Sequence, residues 1–173
     1  MTILANPPST GLPTMSVAEF EHLSRESDHE LVEGRPVEIP PMGLDANELV
    51  IRLSVILWLR LVQTGLARIC TNEIGFRCFQ HAPDQIRKPD LALIDTKKLP
   101  GGTPTGYLDV VPDLVVEVVS SNDLYDDVLA RVDDFLRAGT AEVWVIHPGR
   151  RQVAIHRPNQ NIIELFGEHD TIA

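Results

Sequence analysis

Pro112-Asp113-Leu114-Val115-Val116-Glu117-Val118-Val119-Ser120 is a run of aliphatic, mostly β-branched residues with one carboxylate, Glu117, set inside it. A strand this apolar is buried on both faces, as in the middle of a sheet covered by helices. An isolated ionised glutamate there is costly unless a cation, a hydrogen-bond network or a metal compensates it. Upstream, Arg87-Lys88-Pro89-Asp90-Leu91-Ala92-Leu93-Ile94 repeats the arrangement, an acid at the mouth of an apolar strand. Carboxylates on neighbouring strands can share a divalent cation, and such hard oxygen ligands suit Mg2+ or Mn2+. Asp113 lies four residues before Glu117 and is expected on the same strand face. The plainer reading of each acid is structural: Asp90 and Asp113 as polar strand starts after proline, and Glu117 as the partner of an arginine.

Outward from this strand, Asp123 or Asn122 is expected to cap a helix running to about Arg137. Tyr125, Val128, Leu129, Val132, Phe135 and Leu136 form its apolar face, and Gly139 is its stop. Val143-Trp144-Val145-Ile146 reads as the next strand, and 153–156 with 162–165 as a closing hairpin. Upstream, Asp90 to Asp95 is a strand whose Pro89 suits its first position, and 96–111 is a Gly/Pro/Thr-rich loop. Ala67 to Phe79 has strand character. Apolar residues over a wide arc predict a largely buried helix from about Ala46 to Gln63, stopped by Gly65. His29 to Pro40 reads as two short strands around a Glu33-Gly34 turn. Ser16 and Glu19 have the spacing of a capping box, opening a helix that ends near Glu26. Residues 1–14 read as a flexible lead-in and 15–173 as one domain. The order of elements describes a mixed sheet flanked by helices, an α/β fold.

Composition narrows the functions. With 173 residues, 43% of them hydrophobic, the chain can bury a real core. Its net charge of −10 repels phosphate over most of the surface, so contact with nucleic acid needs a local basic cluster. Arg87-Lys88, Lys97-Lys98 and Arg150-Arg151, with Arg52 and Arg60 on the long helix, are scattered and read as solvated surface. No apolar run reaches membrane-spanning length and no signal pattern opens the chain; a cytoplasmic protein is expected. Cys70 and Cys78 fit no metal spacing and are expected to be reduced. The histidines show no zinc spacing, Ser120 and Ser121 have no nucleophile-elbow context, and Gly101-Gly102 precedes no helix that would cradle a phosphate. One further acid and one base stay open on residue type alone. Glu30, beside the turn, is either a third carboxylate of the site or a solvated hairpin acid. Arg131 either reaches over the sheet end toward Glu117 or, as its helical spacing favours, pairs with Asp127 in solvent.

Taken together, several segments resemble the PD-(D/E)XK nuclease superfamily, and within it the bacterial Uma-type family of restriction endonuclease-like proteins. The carrying segments are Glu30-Leu31-Val32-Glu33-Gly34, Arg87 to Leu93, Pro112 to Ser120, Asp126-Asp127-Val128 and Ala138 to Pro148, in an order that spans nearly the whole chain. The resemblance implies a restriction-endonuclease-like core, with Asp90 and Glu117 as the acids that bind Mg2+ or Mn2+ and Glu30 as the acid of the N-terminal region. The lysine that usually follows the glutamate by two residues is Val119 here. The family's lysine on the next helix corresponds to Arg131, the histidine before the long helix to Ala46, and the serine-proline after the strand to Ser120-Ser121. An arginine does not give up its proton at ordinary pH, so Arg131 can stabilise charge but not act as a base.

Three functions follow as expectations. The first is metal-dependent hydrolysis of DNA phosphodiesters, with Asp90, Glu117, Arg131 and Glu30 as the site. The second is a nuclease-like fold that no longer cuts and serves as a homo-oligomer, such as a dimer, or as a partner-binding module. The third is hydrolysis of a small phosphoester, for which the acidic balance is less of a handicap.

Overall fold

A computed structural model describes residues 14–23, 28–101, 105–120, 123–160 and 163–172. The lead-in up to residue 13, the helix end near Glu26, Ser121, Asn122 and the start of the last strand at Ile162 lie outside the described residues.

The two acid-bearing stretches form the middle of a six-stranded sheet. The first helix, α1 (Val17–Leu23), opens as its capping box predicts. Ser16 donates its backbone N–H and its hydroxyl to the Glu19 carboxylate, each at 2.8 Å. A hairpin of β1 (His29–Val32) and β2 (Arg35–Glu38) follows, and Glu33 and Gly34 at its tip both take positive φ, as a tight two-residue hairpin requires. After α2 (Leu44–Leu57) come β3 (Ala67–Thr71), β4 (Leu91–Asp95), β5 (Leu114–Val118), α3 (Tyr125–Ala138), β6 (Glu142–His147), β7 (Gln152–His156) and β8 (Glu164–Phe166). The main sheet runs in chain order from β3 to β8. All its pairs are antiparallel except β5–β6, which α3 connects, since a parallel pair needs a long crossover.

Alternation along the strands sorts the core into two layers. Ala92, Ile94, Val115, Val143 and Val145 face α3, where they meet Val128, Val132 and Phe135. Leu91, Val116, Val118 and Ile146 face α2, where they meet Ala46 and Val50. Strand character after Thr71 is lost. The segment that follows is held by single bridges, Phe76 to Arg87 and Phe76 to Leu108, and Phe76 and Phe79 pack edge-on against Phe135. Gly75 is required there, because a Cβ would lie 2.6 Å from the Tyr107 ring and 2.8 Å from Ile86. Leu31 and Ile86 exchange both backbone hydrogen bonds, at 3.1 and 2.8 Å, which clips the hairpin to the strand that leads into Asp90.

The long helix departs from expectation. It ends as an α-helix at Leu57 and continues as one π-type turn, Trp58–Val62. It is also not largely buried: only Ala46 and Val50 are covered, while Leu44, Ile51, Val55, Ile56, Trp58 and Leu59 are 51–74% exposed. One apolar stripe meets the sheet and the opposite stripe meets solvent, a division that apolar content over a wide arc does not reveal.

Candidate active site

The register of β4 on β5 decides where the acids go. Leu91 pairs with Val116, so the next position outward sets Asp90 opposite Glu117. By the same alternation that puts Ala92 and Val115 under α3, both acids face α3. Asp90 accepts the backbone N–H of Val118 at 2.6 Å, closing the end of the ladder with a side chain where a strand carbonyl would otherwise act. Glu117 is 3% exposed. One of its oxygens, Oε1, has no hydrogen-bond partner among the described residues.

Two basic groups and a third acid complete the cluster. Glu30, on β1, is 1% exposed. Its Oε1 accepts the Lys88 N–H at 2.7 Å and its Oε2 accepts from Arg87 at 3.0 Å. Arg131, on α3, points down from the helix between two acids, with Nη1 3.4 Å from Glu117 and Nε 3.6 Å from Glu30. Its Nε makes no hydrogen bond among the described residues. Arg87 continues the alternation of charge. It is buried, spans from Glu30 to Asp134, and donates to Asp134 through Nε at 2.8 Å and Nη2 at 2.6 Å. His81 lies 3.6 Å from the other Asp134 oxygen. A chain of opposite charges thus runs from Glu117 through Arg131, Glu30 and Arg87 to Asp134.

Crowding acids at a half-dry sheet end perturbs their titration. Burial pushes the Asp90 carboxyl up to about 6, against the pull of the Val118 N–H and Arg131. Glu117 is raised well above the ordinary glutamate value, first by burial and then by the charge of Asp90. Burial works against the Arg131 charge, but Glu117 and Glu30 outweigh it and hold the guanidinium protonated. Arg131 is therefore a fixed cation, and Asp90 and Glu117 are the groups whose titration is displaced.

Asp90, Glu117, Arg131 and Glu30, the four residues singled out in the sequence, meet in this one place. Several other expectations are corrected. Arg131 turns inward to Glu117 and Glu30 rather than pairing with Asp127. Asp113 is at the opposite end of the ladder, where it accepts the Asp95 N–H at 2.7 Å and pairs with Lys98 at 2.8 Å; it precedes the strand, and a shared face does not imply a shared end. Asp123 does not cap α3, whose N-cap is Leu124 without a side-chain bond. It accepts the Ser120 N–H at 2.7 Å instead and lines the cleft over the acids. Arg87 is not surface. Its burial depends on Glu30 and Asp134, 57 and 47 residues away, so no local pattern reports it. Ala46 sits in the apolar layer under α2 and brings no functional group.

The cleft over the site is lined by Ile39, Pro40, Met42, Asp90, Val118, Ser120, Asp123 and Arg131, with a volume of about 30 Å³. That is room for an ion or one water. Among the described residues no three His, Cys, Asp or Glu side chains group as a metal cage. The candidate donor pair is Asp90, which lines the cleft, and Glu117, which is buried outside its lining with Oε1 unpartnered among the described residues. Two carboxylates, with the remaining positions left to water and phosphate, is how Mg2+ is usually held. No helix among the described residues is long and apolar enough to cross a membrane, and both cysteines are free.

Comparison with known proteins bears on the family and the fold. The Uma2 family, described as "Putative restriction endonuclease", matches residues 17–171. No curated protein matches the chain. Among solved structures, a protein from Anabaena variabilis described as a "putative nuclease belonging to DUF820" superposes with a TM-score of 0.74 at 23% identity, covering 92% of this chain and 88% of its own. At that identity the likeness is one of fold.

Proposed function

The chain belongs to the Uma2 family, and from that premise we propose that it is a metal-dependent phosphodiesterase acting on DNA. One observation carries the proposal: β4 and β5 align Asp90 with Glu117 at one sheet end, and an unpartnered carboxylate oxygen remains there beside a cation. Asp90 and Glu117 would hold Mg2+ or Mn2+. When bound, the ion supplies a lowered water pKa and offsets charge on the scissile phosphate. Arg131 lines the cleft beside Asp90, and its guanidinium would offset the negative charge that grows on a phosphate oxygen there. Glu30 orients Arg131 and, through Arg87 and the Lys88 N–H, fixes the chain just before Asp90. Arg131 does not act as the base, so the proton of the attacking water goes to a carboxylate or to solvent.

A second reading is a nuclease fold that has stopped cutting. It is favoured by the engagement of Arg131 with two acids where a lysine could have lost its proton. Calorimetric titration with Mn2+ and a DNA cleavage assay, run together, separate the two. The first reading expects Mn2+ binding and cleavage in the native protein, both lost in Asp90→Ala and Glu117→Ala. Undiminished cleavage by Asp90→Ala would remove the assignment. Metal binding without cleavage, with cleavage gained in Arg131→Lys, would identify a crippled site.

A further inference from the structure

We propose that α2 is the interface of a two-fold dimer, with a second copy of this chain as the occupant of its outer face. The proposal does not depend on the chemistry of the acid cluster. An apolar stripe on a helix is normally covered by another element, yet of the two opposite stripes of α2 only the one that carries Ala46 and Val50 meets the sheet. On the opposite side Leu44, Ile51 and Trp58 recur every seven residues with Val55 between them, and they are 74, 55, 51 and 52% exposed respectively. That is the seam spacing of a helix packed lengthwise on another helix. Leu59 at 57% widens the stripe.

The pattern is self-complementary. In an antiparallel pair whose two-fold passes at Ile51, the Ile51 side chains oppose each other and each Leu44 meets Trp58 of the second copy. The seam's one break in apolarity is Glu48, and beside it stands Arg52, paired with it at 3.3 Å and largely exposed. The same two-fold brings Glu48 of each copy to within about 3 Å, along the axis, of the level of Arg52 of the other, at 1.5 Å per residue. The rim charges therefore attract across the interface instead of repelling. The area is also adequate. Five large apolar side chains, each more than half exposed, offer several hundred Å² per copy, on the order of the ~800 Å² that each partner of a specific interface contributes. An anionic membrane surface is a poor alternative occupant for a chain of net charge −10.

Sedimentation equilibrium at tens of micromolar tests the oligomeric state. The native chain is expected at twice its 19.2 kDa mass. Ile51→Glu and Trp58→Glu, both at exposed positions, are expected to weaken association by at least ~30-fold, as loss of a central interface residue does, with circular dichroism unchanged. Ile51→Cys is expected to form a crosslinked dimer under mild oxidation. Arg137→Cys, exposed on α3 across the sheet, is expected not to. A native monomer, a dimer that survives both glutamate variants, or equal crosslinking from the two cysteine positions would each overturn the proposal.

Discussion

Asp90→Asn should make the metal-free protein more stable, and by an amount that depends on pH. The asparagine keeps an oxygen able to accept the Val118 N–H, now 2.6 Å from the aspartate, so the ladder end stays closed. What it removes is a charge that burial disfavours. The Asp90 carboxyl titrates near 6 instead of 3.8, and at 1.36 kcal/mol per pH unit that rise is worth up to about 3 kcal/mol. The folded value lies above the unfolded one, so as pH falls from about 6 to 4 the folded state takes up the proton first and gains stability. Above pH 6 the penalty is complete; below about 4 it is gone. In urea unfolding with EDTA, Asp90→Asn should therefore exceed the native protein by about 1–3 kcal/mol at pH 8 and match it at pH 4. Mn2+ should narrow the difference at pH 8 by stabilising only the native protein. A variant that is less stable at pH 8, or whose advantage does not change with pH, would refute the reasoning.

The other expectations concern the scaffold of the site. Arg87→Met leaves the buried Glu30 with Arg131 alone and takes the guanidinium from the largely buried Asp134, and should cost about 3–5 kcal/mol in urea unfolding; adding Glu30→Gln and Asp134→Asn should recover part of that loss, and no recovery would argue against a charge origin. Gly75→Ala forces a methyl against the Tyr107 ring and Ile86 and should cost about 1–3 kcal/mol, read as a lower melting temperature.

The parts of the fold and site legible in the sequence are those fixed by local chemistry. The apolar runs 91–95 and 114–118 could only be interior strands, Ser16 and Glu19 announced a helix start, and Glu33-Gly34 announced a hairpin tip. Asp90 and Glu117 stood out because one opened and the other interrupted an apolar strand. Residues whose role depends on distant partners were not legible. Arg87 looked like surface because Glu30 and Asp134 reach it only in the folded chain. Asp113 shared a strand face with Glu117 but is at the other end of the ladder, and position along a strand matters as much as side. The outer face of α2 has the apolar residues of a core and the exposure of a surface, and composition cannot say which neighbour covers it.

The ladder between β4 and β5 is only three pairs long, Leu91–Val116, Ala92–Val115 and Leu93–Leu114. Each strand is preceded by an aspartate that holds the last amide of the other: Asp90 takes the Val118 N–H and Asp113 the Asp95 N–H. These two acids act as end-stops. Sliding one strand by a single residue would break both bonds and turn Glu117 out of the acid cluster into the leucine and valine layer beneath α2. Alignment of so short a ribbon is thus written into its two termini. Asp90, one of the end-stops, is also half of the proposed ion site, so the group that would handle phosphate helps to set the register that brings its partner into reach.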